Sequence, residues 1–178
     1  MLRQATIHDA AEIARLHVAV WQDTYGHLAP QVAIDALNGG HRLRQWQAAL
    51  SAREDDQVTV VAELSGIIVG FTQLASPQEP LFGDRQEVKY LYVAGSHARQ
   101  GIGRQLLRHL ATIALRDGVR SLGLGVVVGN EAAISFYQAM AGRVIGQYRD
   151  PGPLWRSDNL LYAWDDLTAL TEPAASGG

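Results

Sequence analysis

The 178-residue chain contains no cysteine, so disulfides, thiolate nucleophiles and cysteine-bound zinc are excluded together. A charge excess is also missing: 15 Lys and Arg stand against 18 Asp and Glu, a formal net charge of −3. Without a basic field to draw it to nucleic acid or anionic membranes, the chain is expected to partner neither. Residues 1–9 have no apolar core of signal-peptide length, and no later stretch approaches the ~20 apolar residues of a membrane span. A cytoplasmic location is expected. His8, His17, His27, His41, His97 and His109 include no i, i+4 pair to set two metal ligands on one helix face. They are expected on the surface or on helix faces, and no metal is expected. Neither a Gly-x-x-x-x-Gly-Lys-Ser/Thr loop nor a Gly-x-Gly-x-x-Gly fingerprint is present, which disfavours a generic nucleotide-binding domain.

What is present suits one domain over residues 1–170, followed by a flexible tail at 171–178: the length and the 47% hydrophobic content suffice for one full core. Residues 2–6 read as a short strand, and a helix starting at His8-Asp9 carries Ala10, Ile13, Leu16, His17 and Val20 on one side. A second helix follows Pro30 and ends before Asn38-Gly39-Gly40, and a third covers 43–53. From residue 57 the period changes to that of strands, with 58–63 and 67–74 forming a hairpin about Ser65-Gly66. Residues 76–84 hold Pro77, Pro80 and Gly83 and read as a loop, with a lid as one use for it. Strands at 87–93, 121–128, 143–148 and 160–164 and helices at 102–117 and 130–140 complete the pattern. The fold class expected is α/β: a mixed, mostly antiparallel central sheet of six to seven strands with helices on both faces.

The chain is organised around residues 93–108, where a strand ending in Leu91-Tyr92-Val93 feeds the turn Arg99-Gln100-Gly101-Ile102-Gly103 and then a helix. Such a turn leaves backbone N–H groups pointing outward at a helix start, where the dipole adds positive character. Gly101 and Gly103 permit close approach of a phosphate, and Arg99, Arg104 and Arg108 add charge. Taken alone, such a turn is also compatible with an ordinary tight turn.

These residues resemble the GCN5-related N-acetyltransferases, which move an acetyl group from acetyl-CoA to an amine. The resemblance covers almost the whole chain and rests on two motifs in fixed order. One is Leu91-Tyr92-Val93 followed by Gln100-Gly101-Ile102-Gly103-Arg104; the other is Asn130-x-x-Ala133-x-x-Phe136-Tyr137 ahead of Gly142. The segment Val20-Trp-Gln-Asp-Thr-Tyr25 also looks like the first helix of many bacterial members. Two positions depart from the family pattern: Ala98 stands where the turn has Gln or Arg, with Arg99 one place later, and Ala141-Gly142-Arg143 stands where many members have Gly-Phe.

The resemblance implies acetyl-CoA as co-substrate, held by Leu91, Tyr92, Val93, Arg99, Gln100, Gly101, Ile102, Gly103, Arg104, Asn130, Ala133 and Tyr137. Acetyl transfer to a primary amine, of a small molecule or a peptide, would be direct within a ternary complex. It needs an acceptor amine made neutral, a thioester carbonyl polarised and a departing thiolate protonated. Glu87, at the start of the strand beside the acetyl group, is the candidate base, with Lys89 on its face to keep it ionised. Tyr137 is the candidate proton donor to the sulfur, Phe136 being expected to turn into the core. A backbone N–H near residues 91–93 would polarise the carbonyl, and Asn130 reads both as an N-cap and as a contact to the pantetheine arm. Trp21, Tyr25 and Trp46 are candidates to line the acceptor pocket, with His27 and His41 as amine contacts. A homodimer is left open. The alternative function is an acyl-CoA-binding sensor or regulatory module with little turnover, which would need neither Glu87 nor Tyr137.

Overall fold

A computed structural model of the chain describes residues 1–52 and 57–171. The described residues form strands β1 (Leu2–Gln4), β2 (Val58–Leu64), β3 (Ile67–Ala75), β4 (Gln86–Val93), β5 (Leu122–Val127), β6 (Arg143–Arg149) and β7 (Asp158–Trp164). The helices are α1 (Ala10–Tyr25), α2 (Gln31–Ala36), α3 (Gly39–Ser51), α4 (Ile102–Arg116), α5 (Glu131–Ala139) and the short α6 (Thr168–Thr171). One mixed sheet joins all seven strands in the order β1-β2-β3-β4-β5-β7-β6, antiparallel at every step except β4 against β5. Ser65 and Gly66, both at positive φ, close the β2–β3 hairpin in the two-residue turn the sequence implied.

Apolar periodicity decides what lies on each face. In α4, Ile102, Leu106, Leu107, Leu110, Ala111 and Ala114 are buried, and they pack with Val60, Val69, Val88 and Leu122 of the sheet. On the other face Ala10, Ile13 and Ala14 of α1 and Trp46 of α3 pack against Val61, Ile68 and Phe71. Burial of these large side chains, each contributing about 1.5–3 kcal/mol, holds the helices to the sheet.

β4 has a break in its alternation that positions the site. Gln73 of β3 pairs with Tyr90 and Leu74 with Val88, so Lys89 is the extra residue of a β-bulge. The bulge places Val88 with Leu91 and Val93 on the α4 face and turns Tyr90 and Tyr92 toward α1 and α3. It also bends the strand. The parallel ladder with β5 stops at Gln86↔Leu122 and Glu87↔Gly123, just before the bulge. Beyond it the two strands run on unpaired, leaving a wedge in the middle of the sheet.

Several local expectations are corrected. α3 begins at Gly39 rather than at residue 43, because the Asn38 side chain accepts the His41 N–H at 3.2 Å and so caps a helix that tolerates two glycines in its first turn. Its last described residues end at Ser51; residue 53 of the expected span and residues 172–178 of the expected tail lie outside the described residues. Within 76–84, Pro80–Phe82 forms a single turn, and Phe82 is buried to 1% exposure, fastening the segment to the sheet instead of leaving it free as a lid. His17 is a core residue with no exposure, its Nδ1 accepting from the Trp46 Nε1–H at 3.1 Å. Burial, then the nearby Arg42 and His41, hold its pKa down at about 2, so the ring is neutral.

The end of α5 explains one departure from the family pattern. Gly142 N–H donates to the Tyr137 carbonyl and Ala141 N–H to that of Gln138, at 2.9 and 3.0 Å, which is a Schellman ending with Ala141 in the left-handed position at φ 59°. An L side chain there costs about 1 kcal/mol that glycine avoids. Ala141→Gly is therefore expected to raise the melting temperature by about 2–4 °C, measured by calorimetry. A lower value would mean that the alanine methyl contributes packing that outweighs the strain.

Candidate active site

The wedge between β4 and β5 opens into a cleft of about 630 Å³. Leu91, Tyr92 and Val93 line it from β4, Leu124, Gly125 and Val126 from β5, and Val20, Thr24 and Tyr25 from α1. Backbone direction follows from the pairing. Ala94 N–H donates to Val69 of β3 at 2.8 Å, and the Tyr90 carbonyl accepts from Thr72 Oγ1, so the alternating peptides of Leu91 and Val93 face the wedge. They are a strand edge without a partner strand.

At one end of the cleft the chain turns into α4. Arg99 (φ 59°) and Gly101 (φ 81°) are both left-handed about Gln100, which curls successive N–H groups toward one point. Among the described residues the N–H groups of residues 100–104 have no protein acceptor, and Gln105 is the first to find one, the Gly101 carbonyl at 3.0 Å. Only glycine takes the Gly101 conformation without strain. Arg99, Gly101, Ile102, Gly103 and Arg104 all line the cleft, with His97 and Ala98 beside them. Gln100 does not: its side chain is exposed and donates to the Ser96 carbonyl at 3.4 Å.

From the other side α5 presents Asn130, Ala133 and Tyr137, as their spacing implied. The Asn130 Oδ1 caps α5 by accepting the Ala133 N–H, and its Nδ2 donates to the Tyr25 hydroxyl, both at 3.2 Å. That second bond ties α1 to α5 across the wedge. Tyr137 is buried at 5% exposure, its ring against Phe136, Tyr162 and Trp164. Burial, then the neighbouring Tyr25, push its phenol well above the ordinary value, so the hydroxyl stays protonated. Phe136 packs against the core as expected, but only half-buried, and it also lines the cleft, its ring edge 3.5 Å from where a Cβ on Gly103 would stand.

A second pocket, of about 300 Å³, shares Tyr25, Lys89, Tyr92 and Gly125 with the first. Glu87 and Trp21 line it, together with Tyr148, Asp150 and Trp155. Burial raises the Glu87 pKa, opposed by Lys89 and assisted by Asp150, so desolvation outweighs the lysine that was expected to keep it ionised. Trp46 lies in the core at 1% exposure instead of in either pocket, and neither His27 nor His41 lines one. Sequence reasoning missed Tyr148, Asp150 and Trp155. Their signal was an aromatic residue in the Pro- and Gly-containing connection after β6, the kind of loop that carries binding residues.

Comparison with known proteins decides the family. The acetyltransferase (GNAT) family matches residues 12–142. The chain belongs to this family. Its sequence is 27% identical over 169 residues to the uncharacterized N-acetyltransferase YuaI of Bacillus subtilis, covering 95% of both chains. It is 26% identical to the L-amino acid N-acyltransferase MnaT of Escherichia coli, with 99% of each covered. Among solved structures, PaiA N-acetyltransferase of Thermoplasma acidophilum, in complex with coenzyme A, superposes with a TM-score of 0.74 at 17% identity, over 92% of this chain and 96% of that one. The GNAT chain is an acetyl-CoA-dependent N-acetyltransferase with the mixed open sheet of the family. Among the described residues, no helix is long and apolar enough to cross a membrane, and no group of three His, Asp or Glu could hold a metal ion.

The cleft fits this co-substrate on its own features. Unpaired N–H groups at the start of α4 suit a pyrophosphate, and an unpartnered strand edge at Leu91 and Val93 suits the amide groups of a pantetheine arm.

Proposed function

We propose that the GNAT chain acetylates a primary amine by direct transfer, with both substrates bound and the reacting atoms meeting where the two pockets join. The observation that carries this reading is that Tyr25, Lys89, Tyr92 and Gly125 line both pockets, so that a donor arm in the wedge and an amine beside Glu87 share one wall. Bound acetyl-CoA supplies a thioester whose acyl carbon accepts the amine and whose sulfur leaves.

The residues then divide the work. Residues 99–104 hold the diphosphate through backbone donors, with the side chains of Arg99 and Arg104 adding charge. Leu91 and Val93 offer backbone N–H groups to the arm and to the thioester carbonyl, where charge grows in the transition state. Glu87 takes the ammonium proton before attack, directly or through water; its raised pKa matches it better to that task than an ordinary carboxylate. Tyr137, protonated until the sulfur leaves, gives its proton to it and takes up the one that the acylated nitrogen sheds as the amide forms. All these groups come from one copy of the chain, and it has no cysteine to carry an acyl group. A binding module with little turnover would need neither the carboxylate nor the phenol.

Gly103 tests the donor half. Valine there would press its methyls toward Phe136 and Val93, which stand 3.5 and 3.8 Å from the Cβ position, and narrow the cleft at the helix start. Gly103→Val is expected to weaken acetyl-CoA at least tenfold in titration calorimetry of the folded variant. Unchanged affinity would place the donor elsewhere. The acceptor half is tested by thiol release from acetyl-CoA across amines, aminoglycosides, peptides and amino acids, the last because the name of the Escherichia coli relative gives L-amino acids.

A further inference from the structure

The second pocket has a chemical character of its own. Trp21 and Tyr25 of α1 stand against Trp155, with ring centroids 6.0 and 5.6 Å from it and 5.8 Å from each other. Trp155 meets the other two rings edge to face, those two are tilted to each other, and Ala33 packs with them, so an apolar body resting on them immobilises little that is not already fixed. Tyr148 lies across β5 where Gly125 leaves room: a methyl on Gly125 would overlap the Tyr148 hydroxyl. The pocket is therefore closed by a phenol from β6 and walled by aromatic rings.

Its charge is the independent observation. Glu87 and Asp150 both line the pocket, and among the described residues neither has a cation within ion-pair distance. Asp150 and Glu87 both act on the Tyr148 phenol, joined by Glu79 from the segment before β4. Among the lining residues Lys89 is the one cation, it is exposed, and no arginine or histidine accompanies it. A volume of about 300 Å³ corresponds to roughly ten water-sized groups. That is room for a compact ring and a short arm.

We propose that the acceptor is a small cationic amine with an apolar, ring-bearing body and no carboxylate, seated on Trp21, Tyr25 and Trp155 with its ammonium drawn in by Asp150 and Glu87. This rests on the assignment of the second pocket to the acceptor. The negative wall concentrates the ammonium form, the aromatic faces favour a cation and its apolar stem, and Glu87 lies where the proton must leave. A free amino acid brings the same ammonium but adds a carboxylate to a wall that already carries two against one lysine, and that juxtaposition costs affinity.

The test uses 2-phenylethylamine, L-phenylalanine and L-phenylalanine methyl ester, which share one ring and differ in charge. Their equilibrium binding to the CoA-loaded protein is read from tryptophan fluorescence, and kcat/KM is measured on the same panel with acetyl-CoA. The amine and the ester are expected to bind at least tenfold more tightly than the amino acid. Asp150→Asn keeps an oxygen to accept the Gly152 N–H, bonded at 2.6 Å in the native chain, so the loop is retained. It is expected to weaken 2-phenylethylamine about tenfold, to narrow the gap to L-phenylalanine and to leave acetyl-CoA affinity unchanged. L-Phenylalanine binding as tightly as the amine, or an Asp150→Asn variant that binds the amine as well as the native chain, overturns the proposal. Discrimination in binding without acetyl transfer would uphold this acceptor class and contradict the catalytic roles. Transfer to L-phenylalanine with equal kcat/KM would do the reverse.

Discussion

Tyr137→Phe is expected to slow the acetyl-transfer step by about 10²-fold or more, with little change in acetyl-CoA affinity or stability. The substitution removes one oxygen and keeps the ring that packs on Phe136, Tyr162 and Trp164. A phenol pushed upward by burial is a weaker acid than a free one, which at first sight argues against it as a donor. The same desolvation acts on the thiolate, however, and raises its demand for a proton. In the proposed geometry the sulfur meets the buried phenol, so the match between the two survives. Single-turnover transfer at saturating acceptor reads the chemical step alone. Equal rates in the variant would leave Tyr137 as packing, and a loss of donor affinity alone would make it a binding residue.

Glu87→Gln should reduce kcat/KM by about 10²-fold near neutral pH, again with donor affinity retained. The pH profile carries the sign. Glu87 must be ionised to accept a proton, and burial has raised its pKa, so in the native protein activity falls as pH drops through a value above the usual carboxylate range. In the variant that acid limb disappears, and what remains follows the ionisation of the amine itself, so the deficit shrinks as pH approaches the amine's own pKa. Lys89→Met removes the cation that holds the Glu87 pKa down and should move the acid limb upward. A native profile retained in Glu87→Gln would transfer the base role to another group.

The elements that were legible in the sequence are those whose signal is local. The 3.6-residue spacing of Leu106, Leu107, Leu110 and Ala114 identifies α4, and positive-φ turns need residues such as Ser65-Gly66 and Gly101. Asn130, Ala133 and Tyr137 share a helix side by simple spacing, and all three reach the cleft. What was hidden depends on pairing between distant strands. Nothing near Lys89 announces a bulge; it exists because β3 pairs Gln73 with Tyr90 and Leu74 with Val88, and it decides which residues face the wedge. Tyr148 enters the second pocket only because β6 lies two strands from β5 and Gly125 has no side chain to block its hydroxyl. The histidine at 17 and the tryptophan at 46 have a similar history: each alone suits a pocket or a surface, and together their hydrogen bond makes them core. Asn38-Gly39-Gly40 reads as a helix end by composition, and one side-chain cap turns it into a helix start.

Transfer at the junction of two pockets, without a covalent acyl-protein, has one direct measurement. Protein at substrate concentration is mixed rapidly with acetyl-labelled acetyl-CoA, with and without 2-phenylethylamine, and free thiol, labelled protein and labelled amine are followed through the first turnover. With the amine present, thiol and N-acetyl product should appear together at one to one, and without it neither thiol nor labelled protein should form on that timescale. A stoichiometric burst of thiol without the amine, with the label retained on the protein, would contradict direct transfer.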